Sequence, residues 1–339
     1  MENKKISNPA TWEPSWISYI GAVLGVLTSY GKMENYANVG GYTGYIFALP
    51  NVLSRATCPS GPTALGYSVW DTIEKSTELL GYSVHTFSDN RFLPSEKGKL
   101  TEVDIQRMKN LYSFTKEAID LNKPVIIWGL VSPEYGICNG YTDGAYIVST
   151  FRRNSNQPET PVSYDSLQAP GGLHAILLRE ELTPISEEDD KNTIARAIRF
   201  AEGNIIEIPN LNNIYISGAE AFDKWANILE SSDDKDHPYH GNSYVGACTL
   251  EAEELASLFL NYVSSKYKGT VQSSFLVKSS EQYQKVASIL KEFTELFPFA
   301  FDGDLAQEKR VKGANLLRSA KNPFNNALEF LKQAYYNWE

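Results

Sequence analysis

Apolar positions repeat every three or four residues near the N-terminus and predict a helix within "EPSWISYIGAVLGVLTSYG" (13–31). Its apolar positions are Ile17, Ile20, Leu24 and Leu27. Small residues share an adjacent face, at Ser18, Gly21, Ala22, Gly25 and Ser29. Ser15, directly after Pro14, is the expected N-cap. Because small residues let another backbone come close, we expect this helix to be buried on two sides at the centre of its domain.

The pattern up to about residue 182 alternates between helix and strand signals. Helices are predicted over 67–81, with Gly81 as the stop, and over 101–123. Strands are predicted over 82–88, 124–131 and 171–182. The segment 136–153 predicts a β-hairpin, because Asp143-Gly144 is a strong turn signal between two apolar runs. This mixture is typical of an α+β domain.

After "TPISEEDD" the pattern becomes mostly that of amphipathic helices. They are predicted over 187–204, 218–231, 245–269, 279–299, 305–320 and 323–338. We therefore predict a boundary near residue 184, with a mixed α+β domain over 1–184 and an α-helical domain over 185–339.

Composition narrows the functional classes. The 339 residues carry a net charge of −10, and the pI of about 5.1 argues against a nucleic-acid surface, which needs clustered Lys and Arg. No apolar run approaches the 18 or so residues of a membrane span, and the N-terminus shows no signal-peptide core. The three cysteines lie far apart in sequence, which favours a reduced, cytoplasmic location. The oligomeric state is left open.

The sequence shows no cofactor motif and no convincing metal site. The Gly-rich "VGGYTGY" lacks both the GK[ST] ending of a phosphate loop and the GxGxxG spacing. His237 and His240 are close in sequence, but no third ligand stands at a metal-site spacing. We expect neither a cofactor nor a metal.

Ser18 has two interpretations. It lies in the first turn of the predicted helix, where backbone N–H groups are unpaired and an anion is stabilised, so it could act as a nucleophile or bind an anion. A serine nucleophile also needs a positioned base. Alternatively, Ser18 is the small residue that the packing face requires. The helix by itself favours packing.

The order of four motifs resembles a known family. "SYIGAVLGVLTSYG", "NVGGYTGYIFALP", "TCPSG" and "KPVIIWGLVSPEYGICNGYTDGAYIV" follow one another as in the N-terminal domain of the butirosin biosynthesis protein H family. That family is similar to the papain-like peptidases that cleave double-glycine leader peptides. The resemblance covers roughly residues 12–182. It implies a papain-like domain with a central helix against a largely antiparallel sheet, followed by a helical domain, and acyltransferase or amide hydrolase chemistry.

The chain departs from this family at the residues that matter most. The resemblance places Ser18 where the family has its nucleophilic Cys, and Glu134 where it has the general-base His. The third group would fall near Ser149, where no acid occurs. A carboxylate with a pKa of about 4 is a poor base for a hydroxyl. We therefore predict a catalytically degenerate relative that binds a small acyl, amine or peptide ligand in the inherited cleft, within secondary-metabolite biosynthesis.

Two alternatives stay open. One is an active acyltransferase or amide hydrolase that uses Ser18, or Cys58 with His85 or His174. The other is a structural partner protein of a biosynthetic cluster. Tyr42 and Tyr45 could line the cleft or belong to the core, and the remaining cleft candidates are Cys58 and Asp143. The geometry of the hairpin turn already explains Asp143.

Overall fold

The computed structural model describes residues 3–89, 100–182, 185–208, 213–231 and 238–338. Helix and sheet are mixed, which confirms the α+β class. The chain divides into two compact units: Met1–Val39 with Gly81–Thr183, and Gly40–Leu80 with Pro184–Glu339. One crossing between the units falls at the predicted boundary near residue 184. The assignment of residues 40–80 to the first domain is wrong, because their strand pairs with a strand near residue 215.

Helices and strands are mixed along the chain, with a run of strands near its middle and a run of helices at its end. The helices are α1 (Ser18–Ser29), α2 (Tyr36–Thr43), α3 (Tyr67–Thr77), α4 (Glu102–Asp120), α5 (Glu187–Ala201), α6 (Ala219–Ser231), α7 (Pro238–Lys266), α8 (Val271–Leu296) and α9 (Gln307–Tyr336). The strands are β1 (Lys4–Lys5), β2 (Asn51–Leu53), β3 (Tyr82–Asp89), β4 (Val125–Trp128), β5 (Tyr135–Thr142), β6 (Ala145–Ser149), β7 (Val162–Ser163), β8 (Leu173–Glu181), β9 (Ile205–Ile208) and β10 (Asn213–Ser217).

The first unit is built on an antiparallel sheet in the order β3-β8-β4-β5-β6-β7, with β1 also paired to β5. The predicted hairpin is β5–β6, in which Thr142 lies opposite Ala145 across the turn. Strand β4 is buried along its whole length, as its continuous apolar run predicts. In its register, Ile126 lies opposite Ile137 on one side and Ile176 on the other. The predicted strands and helices of this unit are therefore confirmed.

A backbone segment that precedes α1 explains the small-residue face of that helix. A Cβ on Gly21 would lie 2.1 Å from the carbonyl oxygen of Glu13, and one on Gly25 would lie 2.0 Å from that of Thr11. Both distances are far below van der Waals contact, so only glycine fits at either position. The segment Thr11–Glu13 therefore runs directly over this face, and α1 is buried as predicted.

The expected N-cap is wrong. Helix α1 begins at Ser18, and its N-cap residue is Ile17, which offers no side-chain cap. The hydroxyl of Ser15 instead donates to the carbonyl oxygen of Ile17 at 3.0 Å. Position 18 is still in the first turn, and is in fact the first helical residue.

The second unit combines a small sheet with long helices. Strands β2, β10 and β9 pair antiparallel in that order. Helix α7 starts earlier than predicted, at Pro238, and α9 is one helix where the pattern predicts two, separated at Pro323. The prediction of two helices fails because the buried stripe of α9 continues through the proline, from Ala320 to Phe324 and Ala327. Packing of both halves on one core outweighs the lost backbone hydrogen bond.

Candidate functional site

Ser18 is buried in the first unit and acts as a hydrogen-bond acceptor. The residue is only 2% exposed. Its Oγ accepts a hydrogen bond from the backbone N–H of Tyr135 at 3.0 Å. Its carbonyl oxygen accepts from Nε1 of Trp12 at 3.2 Å. Ser18 thus joins the start of α1 to the start of β5 and to the preceding segment.

Glu134 is half-buried directly before β5. The hydrogen bond of Ser18 reaches the backbone one residue after it, rather than its carboxylate. Backbone bonds hold the approach to the strand: the N–H of Glu134 donates to Ser132 at 2.6 Å, and its carbonyl oxygen accepts from Gly129 at 3.0 Å. The structure therefore brings the chain at Glu134 to Ser18 through a main-chain contact.

Aromatic rings surround the start of β5. The ring of Tyr135 packs against Tyr19, Trp128 and His174, with centroid distances of 5.3, 5.1 and 5.8 Å. The hydroxyl of Tyr135 lies 2.8 Å from Nδ1 of His174. The imidazole is thus engaged with a phenol in this aromatic cluster. Sequence reasoning missed Tyr135 and Trp128, because their strand pattern does not distinguish them from ordinary core residues.

The other candidate residues of the first unit, Ser149, Asp143 and His85, lie at separate places on its sheet and hairpin turn. The Oγ of Ser149 accepts from the backbone N–H of Trp12 at 2.9 Å, so it anchors the segment that covers α1. Asp143 lies in the turn after β5, eight residues from Tyr135, which corresponds to roughly 25 Å of extended strand. The structure therefore does not bring Asp143 to Ser18. His85 is half-buried on β3, with Nε2 3.5 Å from Oε2 of Glu180.

Tyr42 and Tyr45 are core residues of the second unit. They are 2% and 1% exposed. The hydroxyl of Tyr42 donates to Asp190 at 3.0 Å, and that of Tyr45 donates to the carbonyl oxygen of Pro62 at 2.8 Å. The sequence left open whether these tyrosines line a cleft or belong to the core, and their burial agrees with the core.

Cys58 is half-buried beside the small sheet of the second unit, where it packs against Tyr215. Burial and the neighbouring Cys58 thiol raise the pKa of the Tyr215 phenol. The two histidines considered as its partners, His85 and His174, belong to the first unit.

Asp190 on α5 is the centre of a polar cluster that the sequence did not indicate. Its side chain is fully buried and accepts hydrogen bonds from Tyr42 at 3.0 Å and Tyr267 at 2.7 Å. Lys266 forms an ion pair with the same carboxylate. Burial, together with the charge of Asp190, raises the pKa of both tyrosines, so the two phenols stay neutral donors. Because these donors match the carboxylate oxygens, the cluster is suited to holding the fold together.

A half-buried arginine, Arg196, lies six residues after Asp190 on α5. Nη2 of Arg196 donates to the carbonyl oxygen of Tyr42 at 2.7 Å and to Oγ1 of Thr193 at 2.9 Å. Burial, and to a lesser extent the charge of the nearby Arg199, lowers the pKa of Arg196 to about 10. The guanidinium still carries its charge at neutral pH.

The described ranges offer no metal centre, since they contain no group of three or more His, Cys, Asp or Glu side chains placed to hold an ion. His237 lies outside the described residues. His240 packs on Phe301 at a centroid distance of 4.7 Å, and its Nδ1 lies 3.2 Å from the carbonyl oxygen of Ala300. Over the same ranges, no helix combines the length and apolar character needed to cross a bilayer.

Comparison with known proteins adds no relative to this picture: the sequence matches neither a protein-family model nor a curated protein.

Proposed function

We propose that the first unit is a catalytically inactive relative of papain-like acyltransferases and peptidases, and that the protein binds a small acyl, amine or peptide ligand. One observation carries the proposal. The Oγ of Ser18, at the position that resembles the family's nucleophile, accepts a main-chain hydrogen bond from Tyr135 at a site only 2% exposed.

This geometry opposes nucleophilic chemistry in two ways. A nucleophilic hydroxyl must give its proton to a base and must meet the substrate carbonyl with a lone pair. One lone pair of Ser18 is directed at the N–H of Tyr135, and burial keeps a substrate away. The imidazole of His174 is bonded to the hydroxyl of Tyr135 instead. Ser18 therefore serves as a structural joint between α1 and β5.

The architecture of the first unit supports the papain-like relationship. A helix whose first residue is the candidate nucleophile packs on an antiparallel sheet, and that residue meets the start of a central strand. This is the arrangement that the family resemblance implies.

Intact-mass spectrometry tests the inactive state. The purified protein is incubated with a panel of acyl thioesters and with a fluorophosphonate. We expect no acyl or phosphonyl adduct, and no increase in thioester hydrolysis over buffer. Ser18→Ala and Cys58→Ser are the control variants. An adduct or turnover that disappears in Ser18→Ala would identify a serine enzyme, and one that disappears in Cys58→Ser a cysteine enzyme; either result overturns the proposal.

Thermal-shift measurements test the binding function. The panel contains acyl thioesters, primary amines and Gly-Gly peptides. We expect one of these classes to raise the melting temperature in a saturable way, with the same shift in Ser18→Ala, because the hydroxyl is not a ligand group. A panel in which every class leaves the melting temperature unchanged would refute binding of these ligands.

A further inference from the structure

Helices α7 and α8 are held together by polar pairs inside the second unit. The Oγ of Ser273 donates to the carbonyl oxygen of Ser264 at 2.9 Å. About two turns away, the hydroxyls of Ser257 and Ser280 lie 3.0 Å apart, and Ser280 also donates to the carbonyl oxygen of Ser257 at 2.9 Å. Residue numbers fall along one helix as they rise along the other, so the two helices are antiparallel.

The next turn places Glu253 and Tyr283 opposite each other. Glu253 lies four residues before Ser257 on α7, and Tyr283 lies three residues after Ser280 on α8, which puts each on the same face as its serine. Burial raises the pKa of Tyr283, and a charge on Glu253 would raise it further, because the two side chains lie near each other. A third interhelical polar pair is therefore expected at this level.

This third pair differs from the others because its members do not bond to each other. Both residues are 1% exposed. In the part of the chain that the structure describes, neither carboxyl oxygen of Glu253 nor the hydroxyl of Tyr283 has a hydrogen-bond partner. The ring of Tyr283 packs against Phe47 and Phe324 at 5.8 and 5.9 Å, so the flanking surface is aromatic.

Burial also fixes the charge state of the acid. Desolvation raises the pKa of Glu253 well above its usual range, and burial is its one physical cause. Glu253 is therefore a neutral carboxylic acid, with one O–H donor and a carbonyl acceptor. Tyr283 adds a second hydroxyl that can donate and accept.

Two neutral polar groups that face each other between two helices, with aromatic rings beside them, need a hydrogen-bond partner that both can share. Buried polar groups in native proteins are satisfied by protein or by ordered water, and an internal water typically makes two to four hydrogen bonds. A polar contact that is too long for a direct bond is commonly bridged in this way. A cation would need the ionised acid, which this burial disfavours.

We propose that Glu253 and Tyr283 form an internal water-binding site that bridges α7 and α8. The bound water donates to the carbonyl oxygen of the protonated Glu253 carboxyl and accepts from the hydroxyl of Tyr283. The site continues the line of serine pairs by replacing a direct interhelical bond with a hydrated one.

A high-resolution crystal structure of the full chain is the first test. We expect an ordered water about 2.6–3.2 Å from both a carboxyl oxygen of Glu253 and Oη of Tyr283. A direct hydrogen bond between the two side chains, or a dry gap between them, would overturn the proposal. This test needs no variant, so it does not depend on whether a substituted protein folds.

A double-mutant cycle tests the bridge in solution, by urea unfolding. Glu253→Met and Tyr283→Phe each remove one end of the same bridge, and we expect each to raise the unfolding equilibrium constant roughly tenfold. Because the bridge is shared, the double variant should unfold about as readily as the worse single variant. Ser273→Ala removes the direct serine bond to Ser264, about three turns from Tyr283 along α8, and is the matched control, whose effect should add fully to that of Tyr283→Phe. Additive losses for Glu253→Met with Tyr283→Phe would contradict the bridge.

A comparison of three salts distinguishes a bound water from a bound cation at this site. The melting temperature is measured at constant ionic strength in sodium, potassium and ammonium chloride. A water site predicts the same melting temperature in all three. Selective stabilisation by one cation that disappears in Glu253→Gln would replace the water with an ion and overturn the proposal.

Discussion

Replacing Gly25 with alanine tests whether the small-residue face of α1 exists for backbone packing. The new Cβ would lie 2.0 Å from the carbonyl oxygen of Thr11, 2.9 Å from its carbonyl carbon and 3.0 Å from Cδ1 of Ile137. The first two are backbone atoms, which cannot rotate away as a side chain can. Either the covering segment or the helix must therefore move.

The expected loss follows from three contributions. Alanine gains about 1 kcal/mol over glycine within a helix. Overpacking against a rigid neighbour costs roughly 1–3 kcal/mol. A displaced segment also loses the bond from the N–H of Trp12 to Ser149 (2.9 Å) and the bond from the N–H of Ala10 to Asn139 (2.8 Å). At about 1 kcal/mol each, these bring the net loss to about 2–4 kcal/mol.

Urea unfolding followed by circular dichroism measures this loss, with Ser29→Ala as the matched control. Ser29 ends the same helix, and its hydroxyl donates to the carbonyl oxygen of Val26 within that helix at 2.7 Å. We expect the free energy of unfolding of Ser29→Ala to stay within about 0.5 kcal/mol of the wild type. A Gly25→Ala protein as stable as Ser29→Ala would refute the packing explanation.

Three further predictions use the same unfolding assay. Ser18→Ala should lose about 1–3 kcal/mol, because the buried N–H of Tyr135 loses its acceptor; an unchanged stability would contradict the joint between α1 and β5. Asp190→Asn should lose about 2–4 kcal/mol of stability, less than the loss of a fully buried ion pair, because the Lys266 side chain is 31% exposed. Tyr267→Phe should lose about 1 kcal/mol, and the reverse order of the two losses would contradict the cluster. The free energy of unfolding of the wild type should fall as the pH rises from about 4.3, the pKa of unfolded Glu, towards the raised pKa of folded Glu253, because the folded state holds one more proton in this pH range. Glu253→Gln should lack this decrease, and the same pH profile for both proteins would contradict the neutral acid.

Local patterns predicted most elements because their signals lie within a few neighbouring residues. The β5–β6 hairpin follows from Asp143-Gly144 between two apolar runs, and α4 from its apolar spacing. The same reasoning failed at Pro323, where tertiary packing outweighs the local helix-breaking signal. It also failed for residues 40–80, since their place in the second unit depends on a pairing with a strand about 160 residues away, such as Val52 opposite Ile216.

The candidate site was only partly accessible to sequence. The family resemblance directed attention to Ser18 and Glu134, and the structure joins the Ser18 hydroxyl to the backbone N–H of Tyr135, the residue after Glu134. The resemblance could not indicate that the partner of Ser18 is a backbone N–H, because every non-proline residue has this group and the sequence does not show which one is used. The clusters around Asp190 and Glu253 were missed for a related reason: each depends on which helices pack together, and an acid on an amphipathic helix is usually solvated.

The sequence by itself determined the α+β class, the antiparallel hairpin, the buried small-residue helix and the acidic composition that argues against nucleic acid. These properties depend on periodicity and turn chemistry, which act over short distances along the chain. Only the tertiary structure decided what Ser18 contacts, which unit holds Tyr42 and where Glu253 is buried. These depend on which distant segments meet, and burial then sets the hydrogen bonding and charge of each group.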